Sequence, residues 1–353
     1  MDDSGEMRLA RTRNGVCKGI KMKTRMLLGL ALGVFALGGQ AATVIKIATV
    51  APDGTAWMRE MRAGAEAVKK RTEDRVEIKY YPGGVMGDEP SVLRKIKIGQ
   101  LQGGAFTGGE FSPTNKDAQI YSIPFLFKNL DEVDKVRAQL DPMFKKTFES
   151  AGFEAVAISG GGFAYLMSVR DVKTRDDLKA AKVWVPQGDR IAEVALSAAG
   201  VTPISLPLAD VYTSLQTGLI DTVANTPAGA IAFQWHTKLK HMMDLPLTYV
   251  IGILVIDKKV FDALSAEDRK ALHEELGTAF VRLEKINRDD NVQARGALEK
   301  QGVAIYTPSA AETKAWEAVG VAARAELTAK NEISPEMSAA LDKALAQVRG
   351  AAK

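Results

Sequence analysis

The sequence predicts an α/β protein with two lobes, and three observations support this. Short strand patterns alternate with helical patterns along most of the chain, which is typical of α/β folds. The chain has 353 residues, more than one hydrophobic core usually holds. A helical pattern between Ser265 and Gly302 is about 36 residues long and would extend on the order of 50 Å, farther than one lobe.

Strands are predicted where β-branched or alternating apolar residues stand between turn residues. The first alternates as VIKIATV, and Pro-Gly-Gly at 82–84 ends the second. The predicted strands are 44–50, 76–81, 103–107, 154–158, 163–169, 183–185, 201–206, 219–223 and 247–256. Because helices separate most neighbouring strands, we expect parallel pairing with right-handed crossovers.

Helices are predicted where apolar residues recur every three or four positions. Ser265 and Ser309 are each followed three positions later by an acidic residue, which indicates two helix starts. The predicted helices are 56–71, 89–98, 131–151, 230–240, the long helix that Gly302 ends, 310–329 and 335–348, with two shorter ones after 186 and near 208. The sequence IPFLF at 123–127 is predicted to be a compact apolar plug.

The long helix has an apolar stripe that is interrupted in the middle. The stripe residues are Leu272, Leu276, Ala279, Leu283 and Ile286 and, after a gap at 287–291, Val292, Ala294 and Leu298. One interpretation is a coiled-coil partner. The other is a helix that packs on one lobe, bridges solvent and packs on the other. We favour the second, because coiled coils usually need three or four regular heptads.

Three consecutive glycines at 160–162 separate two predicted strands, and we interpret them as a crossover between the lobes. A phosphate-binding loop is the alternative, since such loops are rich in glycine. The residues that follow alternate like a strand, whereas a phosphate loop would lead into a helix N-terminus. The crossover is therefore favoured.

The first 42 residues have the pattern of a secretory signal peptide. Lys21, Lys23 and Arg25 precede an apolar run at 26–37, and Gly-Gln-Ala-Ala follows at 39–42. A membrane anchor is the alternative, but a spanning helix needs roughly 20 apolar residues. We expect cleavage near Ala42.

The true start codon is open. Residues 1–20 lie unusually far upstream of a signal peptide's basic region, so translation could begin at Met22 or Met26.

Removal of the leader changes the charge balance. Seven of the 47 basic and three of the 43 acidic residues lie in it, which leaves 40 of each. A neutral chain has no electrostatic motive for binding nucleic acid. The single cysteine, Cys17, also lies in the leader, so the remaining chain has no thiol for a disulfide, a metal or a nucleophile.

Motifs of catalysis are missing from the sequence. It has no Gly-Xaa-Ser-Xaa-Gly elbow, no His-Glu-Xaa-Xaa-His pair and no acidic calcium loop. Its histidines are His236, His241 and His273, and the first two are five positions apart on a predicted helix, which places them on different faces. An exported enzyme is therefore disfavoured, and no cofactor or metal is expected.

Residues 180–229 carry the strongest indication of a binding site. Ligands of open parallel sheets bind beyond the carboxyl ends of the strands. Trp184, Gln187 and Asn225 lie in or directly after predicted strands of this stretch. We therefore expect a small molecule to be held there.

The chain resembles the solute-binding subunits of TRAP transporters, the tripartite ATP-independent periplasmic systems for organic acids. The blocks that carry the resemblance are YYPGGVMGDEPSVLRKIKIGQLQ, IPFLF, DDLKAAKVWVP and DVYTSLQTGLIDTVANTP. It implies a periplasmic, monomeric protein whose two lobes are hinged around a cleft, with a long helix spanning both. It also implies closure on an organic acid and delivery to a small and a large membrane subunit.

The resemblance implies a division of the chain. The first lobe would comprise 43–160 and 251–290, and the second 161–250. Residues 291–353 would supply the end of the spanning helix and C-terminal helices that pack on the second lobe.

The family's ligand contacts carry over only in part. Its signature arginine falls on Trp184, a second on Ala164 and a third on Glu110, while its asparagine is kept as Asn225. The expected ligand contacts are Phe106, Thr107, Glu110, Phe163, Trp184, Gln187, Asp189, Arg190, Leu208 and Asn225. No tryptophan can imitate an arginine's charged fork.

Several interpretations of these positions stay open. Arg190 could replace the missing cation or be a solvated helix residue. Trp184 could wall a pocket for an aromatic ligand, stack on a cation or belong to the core. Glu110 and Asp189 would suit an amine or hydroxyl groups, or be solvated loop residues. The ligand is an organic acid by family default, with an amine, a polyol or an aromatic solute as alternatives, and a sensory receptor is an alternative partner.

Overall fold

The structure, a computed structural model, describes residues 42–350. Its strands are β1 Thr43–Thr49, β2 Val76–Tyr81, β3 Gly103–Thr107, β4 Phe153–Ser168, β5 Trp184–Pro186, β6 Ile204–Leu206, β7 Thr222–Asn225, β8 His241–Met243, β9 Thr248–Asp257 and β10 Ala304–Tyr306. The expected signal peptide lies outside the described residues, apart from its last position. Among the described helices, none combines the length and apolarity of a membrane span.

The α-helices account for most of the rest of the fold. They are α1 Ala56–Arg71, α2 Glu89–Lys97, α3 Gly108–Phe111, α4 Leu130–Ser150, α5 Arg175–Lys179, α6 Arg190–Ala198, α7 Val211–Thr217, α8 Pro227–Ala232, α9 Lys258–Asp262, α10 Ala266–Lys300, α11 Ala310–Ala329 and α12 Pro335–Gly350. Three 3₁₀ turns lie at Lys116–Ser122, Leu208–Asp210 and Trp235–Thr237. The long helix and both C-terminal helices are confirmed.

Eight strands of the described chain form one mixed sheet in the order β10-β8-β4-β9-β3-β1-β2, with β7 also paired to β4. β1 is parallel to β2 and β3, and β5 is parallel to β6 in a separate two-stranded sheet. The expectation of parallel pairing is wrong for the long strands, because β9 runs antiparallel to both β3 and β4. The sheet combines strands from both expected lobes.

The glycines at 160–162 do not separate two strands. They lie inside the continuous strand β4, where the register against β9 shifts between Ala155 and Ala157 and again between Gly160 and Gly162. A Cβ on Gly160 would lie 2.0 Å from the Tyr249 hydroxyl, so only glycine fits there. The backbone stays paired with β9, and the chain crosses between the expected lobes as a bulged strand rather than as a loop.

The helix predicted at 230–240 is wrong. α8 ends at Ala232, Gln234 takes a positive φ of 61°, and a 3₁₀ turn follows. His236 lies in that turn, whereas His241 begins β8. The left-handed backbone at Gln234 ends the helical geometry.

The polar interruption of α10 contacts the sheet instead of bridging solvent. The Asn287 amide donates to the Gly160 carbonyl at 2.9 Å, and the Asn291 amide donates to the Gly161 carbonyl at 2.8 Å. The four stripe residues from Leu272 to Leu283 are fully buried, and α1 packs against this helix. Val292 is 75% exposed, whereas Ala294 and Leu298 are buried, so the expected stripe resumes at 294 and not at 292.

The two C-terminal helices pack on different parts of the molecule. α11 packs against α6, in the range expected for the second lobe. α12 packs against α4, in the range expected for the first, and its Leu341 and Leu345 share a core cluster with Phe144 and Phe148. In the predicted plug, Ile123, Leu126 and Phe127 are buried in that same cluster.

Candidate functional site

Two adjoining cavities open where β3, β5 and β7 end. The first, here called the α6 cavity, has a volume of about 190 Å³ and runs along α6; the second, the front cavity, has about 450 Å³ and lies at the N-terminus of α1. The residues that line both are Thr107, Leu208, Asn225, Val250 and Ile251. A ligand held at this junction would contact segments from both expected lobes.

The α6 cavity is mostly apolar. It is lined by Ala192 and Ala195 of α6, by Ala199 at the C-cap of that helix, and by Trp316 and Val319 of α11. Among the residues that line it, none is a lysine, an arginine or a histidine. Its charged groups are the carboxyls of Glu110 and Asp189.

Glu110 is buried at the end of β3. Its Oε2 accepts hydrogen bonds from the Thr107 hydroxyl at 2.9 Å and from the Thr107 amide at 3.4 Å. Burial and the neighbouring Glu89 raise the pKa of Glu110 well above its usual range, although the bonds from Thr107 oppose this. Among the described residues, this carboxyl therefore has an acid beside it and no cation.

Glu89 is a buried neighbour of Glu110 that the sequence did not reveal. It is 3% exposed, and its Oε1 has no hydrogen-bond partner among the described residues. Burial raises the pKa of Glu89 as well. Its place directly after the Asp88 N-cap looks like ordinary helix chemistry, so no sequence signal separated it from a surface residue.

Asp189 is the N-cap of α6 and lies against α3. Its Oδ1 accepts from the Ala192 amide at 2.8 Å and from the Gln119 side-chain amide at 2.6 Å. Burial raises the pKa of Asp189, while these two bonds oppose the shift. A Cβ on Gly109 would lie 2.7 Å from Asp189 Oδ2, so this carboxyl and that of Glu110 belong to neighbouring parts of the chain.

Trp184 belongs both to the wall of the α6 cavity and to a core cluster. It is 5% exposed, and its indole N–H donates to the Leu206 carbonyl at 3.0 Å. Its ring meets the edge of Trp235 with centroids 5.3 Å apart. Because the N–H is already bonded, only its ring surface can contact a ligand.

Asn225 ends β7 and lines both cavities. Its Oδ1 accepts from the Thr226 amide at 2.7 Å. A Cβ on Gly229 would lie 2.4 Å from this oxygen, so a glycine at 229 leaves room for the Asn225 side chain. The side-chain NH₂ group has no bond within the described residues that would prevent it from contacting a ligand.

The front cavity has a more polar lining. Arg59 and Asp290 carry its charges, and Trp57, Phe106 and Phe233 supply aromatic surface. The Arg59 guanidinium donates to the Gly54 carbonyl at 2.8 Å.

Residues 47–331 match the model of a known protein family, the bacterial extracellular solute-binding protein family 7, DctP. The chain belongs to this family. Family 7 members are solute-binding proteins of the periplasm that work with the membrane components of TRAP transporters.

Individual relatives agree with this assignment. The C4-dicarboxylate-binding periplasmic protein DctP of Rhodobacter capsulatus is 24% identical over 308 residues, which cover 84% of this chain and 92% of the relative. A TRAP periplasmic solute-binding protein of Desulfovibrio salexigens, solved with orotic acid, has a TM-score of 0.81 at 20% identity and covers 86% of this chain and 99% of its own.

In a third relative, the ligand-binding pocket holds part of the protein itself. The TRAP solute-binding protein of Ochrobactrum anthropi has a TM-score of 0.75 at 26% identity, covers 88% of this chain and 96% of its own, and was solved with its C-terminus in the ligand-binding pocket. The α/β fold of this chain is thus the two-lobed fold of the TRAP solute-binding proteins.

For this family 7 chain, seven of the ten predicted contact positions line a cavity. Thr107, Leu208 and Asn225 line both, Glu110, Trp184 and Asp189 line the α6 cavity, and Phe106 lines the front cavity. Gln187 is exposed, and Phe163 packs edge-on against Tyr249 at 5.4 Å; neither lines these cavities.

Arg190 does not contact either cavity. Its guanidinium binds Glu332 at 3.0 Å and also pairs with Glu193, and the side chain is 46% exposed. Its charge is therefore already neutralised on the helix surface. This geometry favours the solvated-helix interpretation. Ala164, where a second family arginine was expected, lines the α6 cavity without offering a charge.

Proposed function

We propose that this chain captures a small organic solute at the junction of the α6 and front cavities and presents it to TRAP membrane subunits. The observation that carries the proposal is the shared lining. Thr107 comes from the first expected lobe, whereas Leu208 and Asn225 come from the second. A solute that contacts both lobes stabilises the closed state by its differential affinity for it.

Asn225 would orient a polar group of the solute, and Trp184 would provide a flat apolar wall. Relatives bind organic acids according to their descriptions, namely C4-dicarboxylates in R. capsulatus and orotic acid in D. salexigens. Arg59 of the front cavity is the arginine available to such a ligand in the two linings. That this chain lacks the family's usual carboxylate-binding arginine stays a prediction.

We also propose that the mature protein begins after cleavage near Ala42 and acts as a periplasmic monomer. The apolar run and small residues at 26–42 support the first point. N-terminal sequencing of the exported protein and light scattering check the two points.

A thermal-shift screen with organic acids, amines, polyols and aromatic solutes tests the proposed binding. A ligand at one hundred times its Kd adds about 2.7 kcal/mol to the free energy of unfolding, which raises Tm by several degrees. A broad library that leaves Tm unchanged would contradict solute binding.

Asn225→Ala tests the placement of the site. We expect at least a tenfold loss of affinity for the solute found, about 1.4 kcal/mol, because the amide contacts are lost. Gln187→Ala is the matched control, since this exposed residue lines neither cavity, and it should leave affinity unchanged. Equal affinities of the Asn225 variant and the wild type would remove Asn225 from the site.

A further inference from the structure

The α6 cavity extends well beyond the strand ends. It follows α6 from Asp189 at the N-cap to Ala199, ten positions that span on the order of 15 Å in a helix. The face that lines it carries alanine at 192, 195 and 199, positions that lie on one side of a helix. Because these three side chains are small, they leave room for a ligand along this side of α6.

The far end of this cavity suits an apolar group. It is lined there by Leu178, Leu196 and Met243 together with Trp316 of α11. Apolar cavities of about 150 Å³ in proteins bind benzene. A volume of about 190 Å³ therefore has room for one aromatic ring or a branched aliphatic chain.

The near end suits a hydrogen-bond donor. Glu110 and Asp189 both line the cavity there, and burial favours their protonated forms. A bound ammonium group would favour the ionised carboxylates, which only accept hydrogen bonds. Among the described residues, no basic side chain lines this cavity, so none is available there to neutralise the carboxylate of a ligand. A carboxylate ligand would be buried beside two acids, whereas an ammonium group would supply the missing positive charge.

We propose that the α6 cavity binds an organic amine with an aromatic or branched apolar body, its ammonium group at Glu110 and Asp189 and its body between α6 and α11. The proposal rests on the proposed function of this protein as a solute-binding protein. It deepens that function by naming the class of solute.

Matched ligands test the charge. Calorimetric titration with phenethylamine, phenethyl alcohol and phenylacetate, and with the amine, alcohol and acid of an isobutyl body, compares three head groups on the same bodies. The amine of at least one body should bind at least tenfold more tightly than its alcohol, and the acid most weakly. An acid that binds more tightly than its amine, equal affinities for amine and alcohol, or binding of none of the amines would overturn the proposal.

Substitutions along α6 test the location of the body. Ala192→Leu puts a larger side chain on the cavity-lining face and should weaken the bound amine at least tenfold. Ala198→Leu is the control, because this half-buried position of the same helix lines neither cavity. We therefore expect the Ala192 variant to bind the amine more weakly than the Ala198 variant does. Equal affinities would contradict the placement of the apolar body along α6.

Charge-neutralising variants test the head group. Asp189→Asn retains an N-cap residue and Glu110→Gln retains an acceptor for Thr107, so folding should be preserved. Each should weaken amine binding at least tenfold and alcohol binding less than threefold. Asp257→Asn, an N-cap change in α9, is the control and should alter neither. Amine affinity unchanged in both cavity variants would refute the assignment.

The experiments distinguish failure of the amine inference from failure of the proposed solute-binding function. If an organic acid binds with dependence on Asn225 and is insensitive to Ala192→Leu, the protein still binds a solute and the amine inference alone is wrong. If nothing in the broad library binds, the proposed function falls as well.

Discussion

Glu284 and Glu110 both have side chains with little solvent exposure, but their neighbours differ in charge. Glu284 lies on α10 and accepts from Arg137 at 2.8 and 2.9 Å, from Arg288 at 2.9 Å and from the Gly160 amide at 3.0 Å. Although burial opposes it, these partners lower the pKa of Glu284, whereas burial and Glu89 raise the pKa of Glu110. Glu284 is therefore held as an ionised carboxylate paired with arginines, whereas the surroundings of Glu110 favour its protonated form.

The difference shows where the chain uses its arginines. Although burial opposes the shift, an arginine lowers the pKa of a partly buried carboxylate in three further places: Asp268 with Arg75, Asp244 with Arg295 and Glu132 with Arg349. These pairs connect elements of the fold. Within residues 42–350, the carboxyls that line the α6 cavity have no arginine partner, so a cationic ligand would be their counter-ion.

The largest expected effect on stability comes from removing an arginine beside Glu284, which leaves this carboxyl with fewer cations around it. Arg137→Met should lower the free energy of unfolding by about 3–5 kcal/mol, because a carboxylate is left buried with half its ion pairs removed. Urea unfolding measures this. Lys135→Met is the control on the same helix; its pair with Asp131 is exposed and should contribute less than about 1 kcal/mol. Similar losses in both variants would mean that burial does not distinguish the two pairs.

A second change supplies the α6 cavity with the cation that it lacks. Trp184→Arg should raise affinity for simple carboxylates at least tenfold, about 1.4 kcal/mol, because its guanidinium would offer a carboxylate ligand the positive charge that the cavity lining lacks. It should also lower Tm, since the contact with Trp235 and the bond to Leu206 are lost. Calorimetric titration checks the affinity. A variant that only loses stability would identify Trp184 as a core residue.

Trp184→Phe separates the two roles of this residue. It keeps a flat ring while removing the N–H, so it should cost roughly 1 kcal/mol of stability without creating affinity for carboxylates.

The smallest effect is a change in pH dependence. An acid whose folded pKa is raised stabilises the fold below its unfolded pKa, near 4.3, and loses this contribution as pH rises through the folded value. Glu110 faces Glu89 and Thr107, and both glutamates have raised pKa values. Glu110→Gln should therefore flatten the decline of stability from weakly acidic to alkaline pH.

Denaturant unfolding across that pH range checks this expectation. Glu317→Gln, an exposed change on α11, is the control and should leave the wild-type profile as it is. A Glu110 variant with the same slope as the wild type would show that this carboxyl is solvated in the native state.

Local signals predicted the helices well. The bounds of α1 and α11 agree with the sequence prediction, and Ser265 caps α10 through its hydroxyl at 3.0 Å from the Asp268 amide. Caps act within one turn, so a single sequence contains the information that places them. The break at Gln234 was missed because glutamine gives no local sign of a left-handed backbone.

Long-range features were beyond the sequence. The antiparallel pairing of β9 and the passage of β4 through Gly160 depend on neighbours far away along the chain. For the same reason the sequence identified Glu110 without Glu89, and it suggested Arg190 without its partner Glu332. The cavity along α6 arises from a helix, α11, that begins more than one hundred residues later.

The position of β9 has a consequence for how the chain is made. β9 lies between β3 and β4 and pairs Ile256 with Gly103 and Asp257 with Phe153. Until ribosomal synthesis has passed Asp257, β3 and β4 each have an open edge, and pairings this distant in sequence form slowly. The first half of the protein therefore has no finished sheet to fold into before the second half has been made.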